Sequence, residues 1–226
     1  MWQTVLGIVL AAALSALLGM QYLRVAARHR RAPHEFFAEA RDLIDQPQIS
    51  AGKTAGSYLL KGTYRGHHVH VQAVSDTLSL RKLPSLWLLV TIPEPLPVGA
   101  TFDMMMRPAG PTTFSNFDHL PETVPLPPGF PEEAVIRSND PHHLLPPHLL
   151  APVLPLFGDR RGKELLVSPK GVRVVIQVAE AMRVRYGVLR QADFGETRLD
   201  PDILRVILDR MISLRTAILE WRRTMP

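Results

Sequence analysis

The chain contains no cysteine, which excludes disulfides, thiolate nucleophiles, iron–sulfur ligation and cysteine-based zinc sites together. Charge is missing from one stretch as well, since no Asp, Glu, Lys or Arg occurs between Trp2 and Leu23. A helix of about 20 apolar residues is what a hydrocarbon core of roughly 30 Å requires. Residues 1–23 are therefore predicted to form a transmembrane helix that binds membrane lipid, with Trp2 and Tyr22 near its two interfaces. A cleaved signal peptide is the alternative, but it needs a basic start and a shorter apolar run, and nothing basic precedes Trp2.

Familiar catalytic patterns are also lacking. Gly52-Lys53-Thr54 ends like a phosphate-binding loop, yet Pro47 stands where that loop needs its first glycine. Ser79, Ser85, Ser115 and Ser138 have no Gly-x-Ser-x-Gly setting. Asp42, Asp45, Asp76, Asp103, Asp118, Asp140 and Asp193 are scattered, so spacing places no carboxylate pair at a catalytic distance.

What is present suits a folded domain: of 226 residues, 46% are hydrophobic and 21% charged, and about 190 remain behind the anchor to bury a core. The net charge is +5, carried mostly by arginine. Arg24, Arg28, Arg30 and Arg31 follow the apolar run directly, where anionic headgroups attract each by about 1 kcal/mol. The positive-inside rule puts this flank, and the domain after it, in the cytoplasm of a single-pass cell-membrane protein. A periplasmic or extracellular domain is the alternative. Nucleic acid is the weaker reading of the basic charge.

Periodicity then divides the chain into residues 24–55, a basic flank with a short amphipathic helix over His34–Ile44 ended by Pro47, and residues 56–226, a soluble α+β domain. Tyr58–Tyr64 and Val69–Ala73 alternate around Arg65-Gly66, as in a β-hairpin. Trp87–Ile92 reads as a buried central strand, with Thr101–Arg107 able to pair beside it. Seven prolines between 108 and 131 make that segment a loop. Ala134–Ser138 reads as a brief strand, Asp140 as an N-cap, and His142–Phe157 as broken helical turns. Lys163–Val167 and Val172–Val178 flank the turn Ser168-Pro169-Lys170-Gly171, and Arg183 and Arg185 alternate with Val184 and Tyr186 in a further strand.

The last helix opens on Asp200-Pro201-Asp202 and runs to about Arg223. Its apolar stripe, from Leu204 to Trp221, is wide enough to pack on a sheet, although the narrower seam within it would also serve a homodimer.

Candidate chemistry is thin. His67, His68 and His70 cluster beside a turn, and His68 and His70 share one strand face, so both could bind one metal. Lys170, Arg173, Arg183 and Arg185 could form a patch for phosphate, lipid headgroups or an acidic protein partner. No cofactor is expected.

Tyr58-x-x-Lys61-Gly62-x-Tyr64-x-Gly66, then Val135–Leu145 with Asn139-Asp140-Pro141, then a hairpin and a final amphipathic helix, together resemble a loose group of uncharacterised bacterial single-pass membrane-anchored proteins. The resemblance spans roughly residues 56–221 and implies an anchor followed by one domain, with no activity to carry over. The expectation is a mainly antiparallel sheet packed by a long C-terminal helix, serving as a non-catalytic interaction or scaffold protein with an unknown protein partner. A membrane-bound hydrolase or metal-binding enzyme using the histidines is the alternative.

Overall fold

The computed structural model describes residues 2, 15–20, 32–52, 54, 56–76, 83–181 and 194–225. The chain folds into strands β1 (Asp45–Ala51), β2 (Tyr58–Tyr64), β3 (His67–Asp76), β4 (Ser85–Ile92), β5 (Phe102–Met106), β6 (Glu122–Val124), β7 (Ala134–Ser138), β8 (Gly162–Ser168) and β9 (Gly171–Glu180), with alternating apolar and polar side chains in β2 and β3 and near-continuous apolar runs in β4 and β5. They form one antiparallel sheet in the order β1-β2-β3-β4-β9-β8-β5-β7-β6. The C-terminal helix, Pro201–Thr224, lies on one face, so the architecture is α+β, as expected.

Both predicted hairpins form. Arg65 (φ 49°) and Gly66 (φ 82°) make the two-residue turn of β2–β3, whose positive φ at both positions matches the twist of the flanking strands. β4 is central, but its partners are β3 and β9. The Thr101–Arg107 segment does not sit beside it: β5 is separated from β4 by β9 and β8. Pro93, Pro95 and Pro97 follow β4 directly and prevent the tight turn that a β4–β5 hairpin would need.

Two other expectations change. His34–Ile44 is not one helix; a helical turn at 32–36 and a 3₁₀ turn at Ala40–Leu43 replace it, and Pro47 lies within β1, after a register shift between Asp45 and Gln48. The shift and the proline are tolerated because β1 is an edge strand. Phe36, Phe37, Ala40 and Ile44 are nevertheless buried, so the periodicity identified core positions without identifying the turns between them. The proline-rich loop also contains a 3₁₀ turn, Phe117–His119, and the edge strand β6, confined between Pro121 and Pro125.

The helix face of the central strands is apolar: Leu88, Val90 and Ile92 of β4, Val172 and Val174 of β9, and Leu165 and Val167 of β8 are at most 1% exposed. Leu204, Ile207, Leu208, Met211, Leu214 and Ile218 cover them. Asp200 caps the helix by accepting from the Asp202 N–H at 2.8 Å. The stripe that a dimer seam would need is thus spent on the sheet, with only Trp221 of the seam half-exposed. Arg215 locks the helix in place: its Nη1 donates to the carbonyls of Glu94 and Pro95 at 2.9 and 3.0 Å, and its Nε lies 3.0 Å from Glu94 Oε2.

Trp2 and residues 15–20 are helical and exposed, while the rest of the predicted anchor, the basic flank Arg24, Arg28, Arg30 and Arg31, and the predicted strand with Arg183 and Arg185 lie outside the described residues. Among the described residues no helix is long and apolar enough to cross a membrane.

The β8–β9 turn is held against the end of β4. Leu96 N–H donates to Pro169 O at 3.1 Å, and Gly171 has φ 134°, where a Cβ would stand 2.1 Å from Ile92 O. Gly171→Ala is expected to lose about 2 kcal/mol or more of unfolding free energy through this overlap and the strained φ. Urea unfolding of the full chain in mild detergent measures it, and a loss under about 0.5 kcal/mol would mean that the turn moves freely.

Candidate functional site

Antiparallel register turns the face away from the helix into ordered rows. One row crosses the sheet as Gln48 (β1), Lys61 (β2), His70 (β3), Thr91 (β4), Arg173 (β9), Leu166 (β8), Asp103 (β5), Arg137 (β7) and Thr123 (β6). The neighbouring row is mostly apolar, with Leu59, Gln72, Leu89, Val175, Glu164, Met105 and Val135. Charge that is far apart in the sequence becomes adjacent, because strands stand about 4.8 Å apart.

The two ends of this face differ. Over β5, β7 and β8 the segment around residues 112–120 folds down as a cover. Arg173 Nη1 donates to Phe114 O at 3.5 Å, Arg137 Nη1 donates to Asp118 O at 3.1 Å and Leu120 O at 3.3 Å, and the Arg137 guanidinium stands 5.4 Å from the Phe117 ring. Phe114 packs with Trp87 over Val74, Leu89 and Val175. Beneath this cover Asp103 and Glu164 are 2% and 1% exposed, and they are diagonal neighbours across β5–β8.

Burial first, then the charge of Glu164, pushes Asp103 up to about 8, with Arg173 opposing. Burial also raises Glu164, against the Ser115 hydroxyl that donates to its Oε1 and the charges of Arg173 and Lys163. Asp103 Oδ1 and Glu164 Oε2 are buried with no hydrogen-bond partner among the described residues. A retained proton relieves both the desolvation and the repulsion, so the pair holds at least one proton at neutral pH.

Over β2, β3, β4 and β9 the face is open and forms a cleft of about 470 Å³ lined by Lys61, His70, Gln72, Thr91, Lys170 and Arg173, with Leu59 and Leu166 among its apolar walls. Arg173 Nε donates to Thr91 Oγ1 at 3.3 Å. His70 is held below the usual imidazole range, by burial first and then by the charges of Lys61 and His68. Lys170 projects from the rigid β8–β9 turn, where its N–H donates to Ser168 Oγ at 3.3 Å.

The sequence-predicted residues divide accordingly. Lys170 and Arg173 come together in the cleft, joined by Lys61, which the sequence reading named only within the resemblance motif and not as a site residue, and by His70, proposed there for a metal. His68 and His70 share a face as expected, but His67 Nδ1 lies 2.9 Å from Glu94 Oε2, and the His68 N–H donates to Glu94 Oε1 at 2.8 Å. Burial would raise Glu94; the bonds from His67 and His68, with the charges of His67 and Arg215, outweigh it and hold the carboxyl below its ordinary range. Among the described residues no group of three His, Asp or Glu could hold a metal. The Asp103–Glu164 pair went unseen because it joins strands 61 residues apart (164 − 103). Its local trace is a single acid in each of the apolar runs Phe-Asp-Met-Met-Met and Gly-Lys-Glu-Leu-Leu-Val.

A carboxyl whose pKa is raised by folding stabilises below its unfolded pKa and loses that contribution as pH rises to the folded value. For Asp103 the window runs from 3.8 to about 8. Stability should therefore fall across it by up to about 1.4 kcal/mol per pH unit, and Asp103→Asn should flatten the slope and be the more stable form at pH 8. Unfolding at a series of pH values reads this directly; equal slopes in both proteins would show that Asp103 ionises normally. Neither family models, curated proteins nor solved structures match this chain.

Proposed function

We propose that this protein is a single-pass membrane-anchored, non-catalytic interaction module whose domain lies on the cytoplasmic side and engages its partner through the open face of the sheet. The observation that carries the interaction reading is the cleft. Lys61, His70, Lys170 and Arg173 converge there on rigid strands and a locked turn, with no acid among the lining residues, while the buried acids lie under the 112–120 cover. Such a surface recognises a complementary anion. The anchor reading rests on the uncharged run from Trp2 to Leu23 and on the four arginines after it.

Alkaline carbonate extraction tests the anchor: the full chain should stay in the membrane pellet and a chain lacking residues 1–31 should not. Single cysteines at the exposed Glu122 and Thr224, introduced into this cysteine-free protein, should resist an impermeant thiol reagent until the membrane is opened. Labelling in intact cells would place the domain outside the cytoplasm, and release of the full chain by carbonate would remove the anchor.

A further inference from the structure

We infer that the cleft is a binding site for a phosphate monoester attached to a small organic body, an inference that rests on reading the cleft as the interaction site and names its ligand. Lys61, Lys170 and Arg173 supply basic side chains, and Gln72 and Thr91 add neutral donors. A phosphate dianion takes charge-assisted bonds on several oxygens at once, which suits a cleft that holds one fork-shaped guanidinium and two ammonium groups. The two bonds that Arg173 already makes, at 3.3 and 3.5 Å, are long and compete weakly with an anion.

Size and lining define the rest of the ligand. A space of about 470 Å³ is in the range of small-molecule sites and exceeds what a bare phosphate fills. Leu59, Pro93 and Leu166 supply apolar wall for the attached body. No Phe, Tyr or Trp side chain lines the cleft, so the large stacking platforms typical of single-stranded nucleic acid binding are missing from its lining.

The electrostatics agree. Burial first, and then the charges of Lys61 and His68, hold His70 below its usual range, so neighbouring cations add to the effect of desolvation. The acids that face Arg173 from β5 and β8 retain at least one proton between them, which lessens their claim on the guanidinium.

The test uses the full chain in phosphatidylcholine nanodiscs, titrated calorimetrically with glycerol 3-phosphate and, as control, glycerol. Saturable binding of the phosphate ester alone is expected. Lys61→Glu and Lys170→Glu should each weaken it about tenfold or more, with unfolding midpoints unchanged because both side chains are exposed. Arg223→Glu, an equal charge change at the exposed end of the helix, should leave it intact. Nanodiscs containing phosphatidic acid separate the sources: loss of glycerol 3-phosphate binding there identifies a lipid headgroup, and retained binding identifies a soluble ester. Absence of saturable binding, or equal weakening by Arg223→Glu, overturns the proposal, and the carbonate extraction would still report independently on the anchor.

Discussion

Antiparallel register is the constraint on which the rest of this structure depends. Side chains opposite one another on neighbouring strands share a face, so one choice of register decides every residue that points toward the helix and every residue that points away. Here it sends Leu88, Val90, Val172, Val174 and Leu165 beneath the C-terminal helix. The same choice aligns Lys61, His70, Thr91 and Arg173 on the opposite face. A one-residue slip in β9 would bury Arg173 under the helix and expose Val172 and Val174 to water. The apolar face therefore holds the basic face in order, and Arg215, bonded to the Glu94 and Pro95 carbonyls just past β4, ties the helix to the sheet beside that cleft.

The opposite face resolves its charge in two ways. Where water reaches it, cations line a cleft. Where the 112–120 segment covers it, two carboxyls are buried and hold at least one proton between them rather than both ionise. Arg173 stands between these regimes, bonded to Thr91 on the open side and to the Phe114 carbonyl on the covered side. It is the residue through which the cover and the cleft touch.

Much of the architecture was legible before any coordinates. Arg65-Gly66 and Ser168-Pro169-Lys170-Gly171 announce hairpins because turn chemistry is local, and Asp200-Pro201-Asp202 announces a helix start for the same reason. The broken turns between His142 and Phe157 follow from proline spacing, and the structure shows three 3₁₀ turns there. The partner of β4 was misplaced because strand pairing across Pro93, Pro95 and Pro97 is not a local property. Lys61 was not read as a site residue because a lone lysine on a hairpin is ordinary until the fold sets it in one cleft with Lys170.

By itself the sequence determined the absence of thiol chemistry, most of the strands but neither β1 nor β6, both hairpin turns, the cap of the last helix and the width of its apolar stripe. Each depends on residues within a few positions of one another. Only the tertiary structure decided that β9 lies between β4 and β8, that Asp103 meets Glu164, and that Lys61, His70, Lys170 and Arg173 share one cleft. Those are contacts between segments distant in the chain, selected by which pairing buries the most apolar surface under the helix, and no short-range pattern encodes that choice.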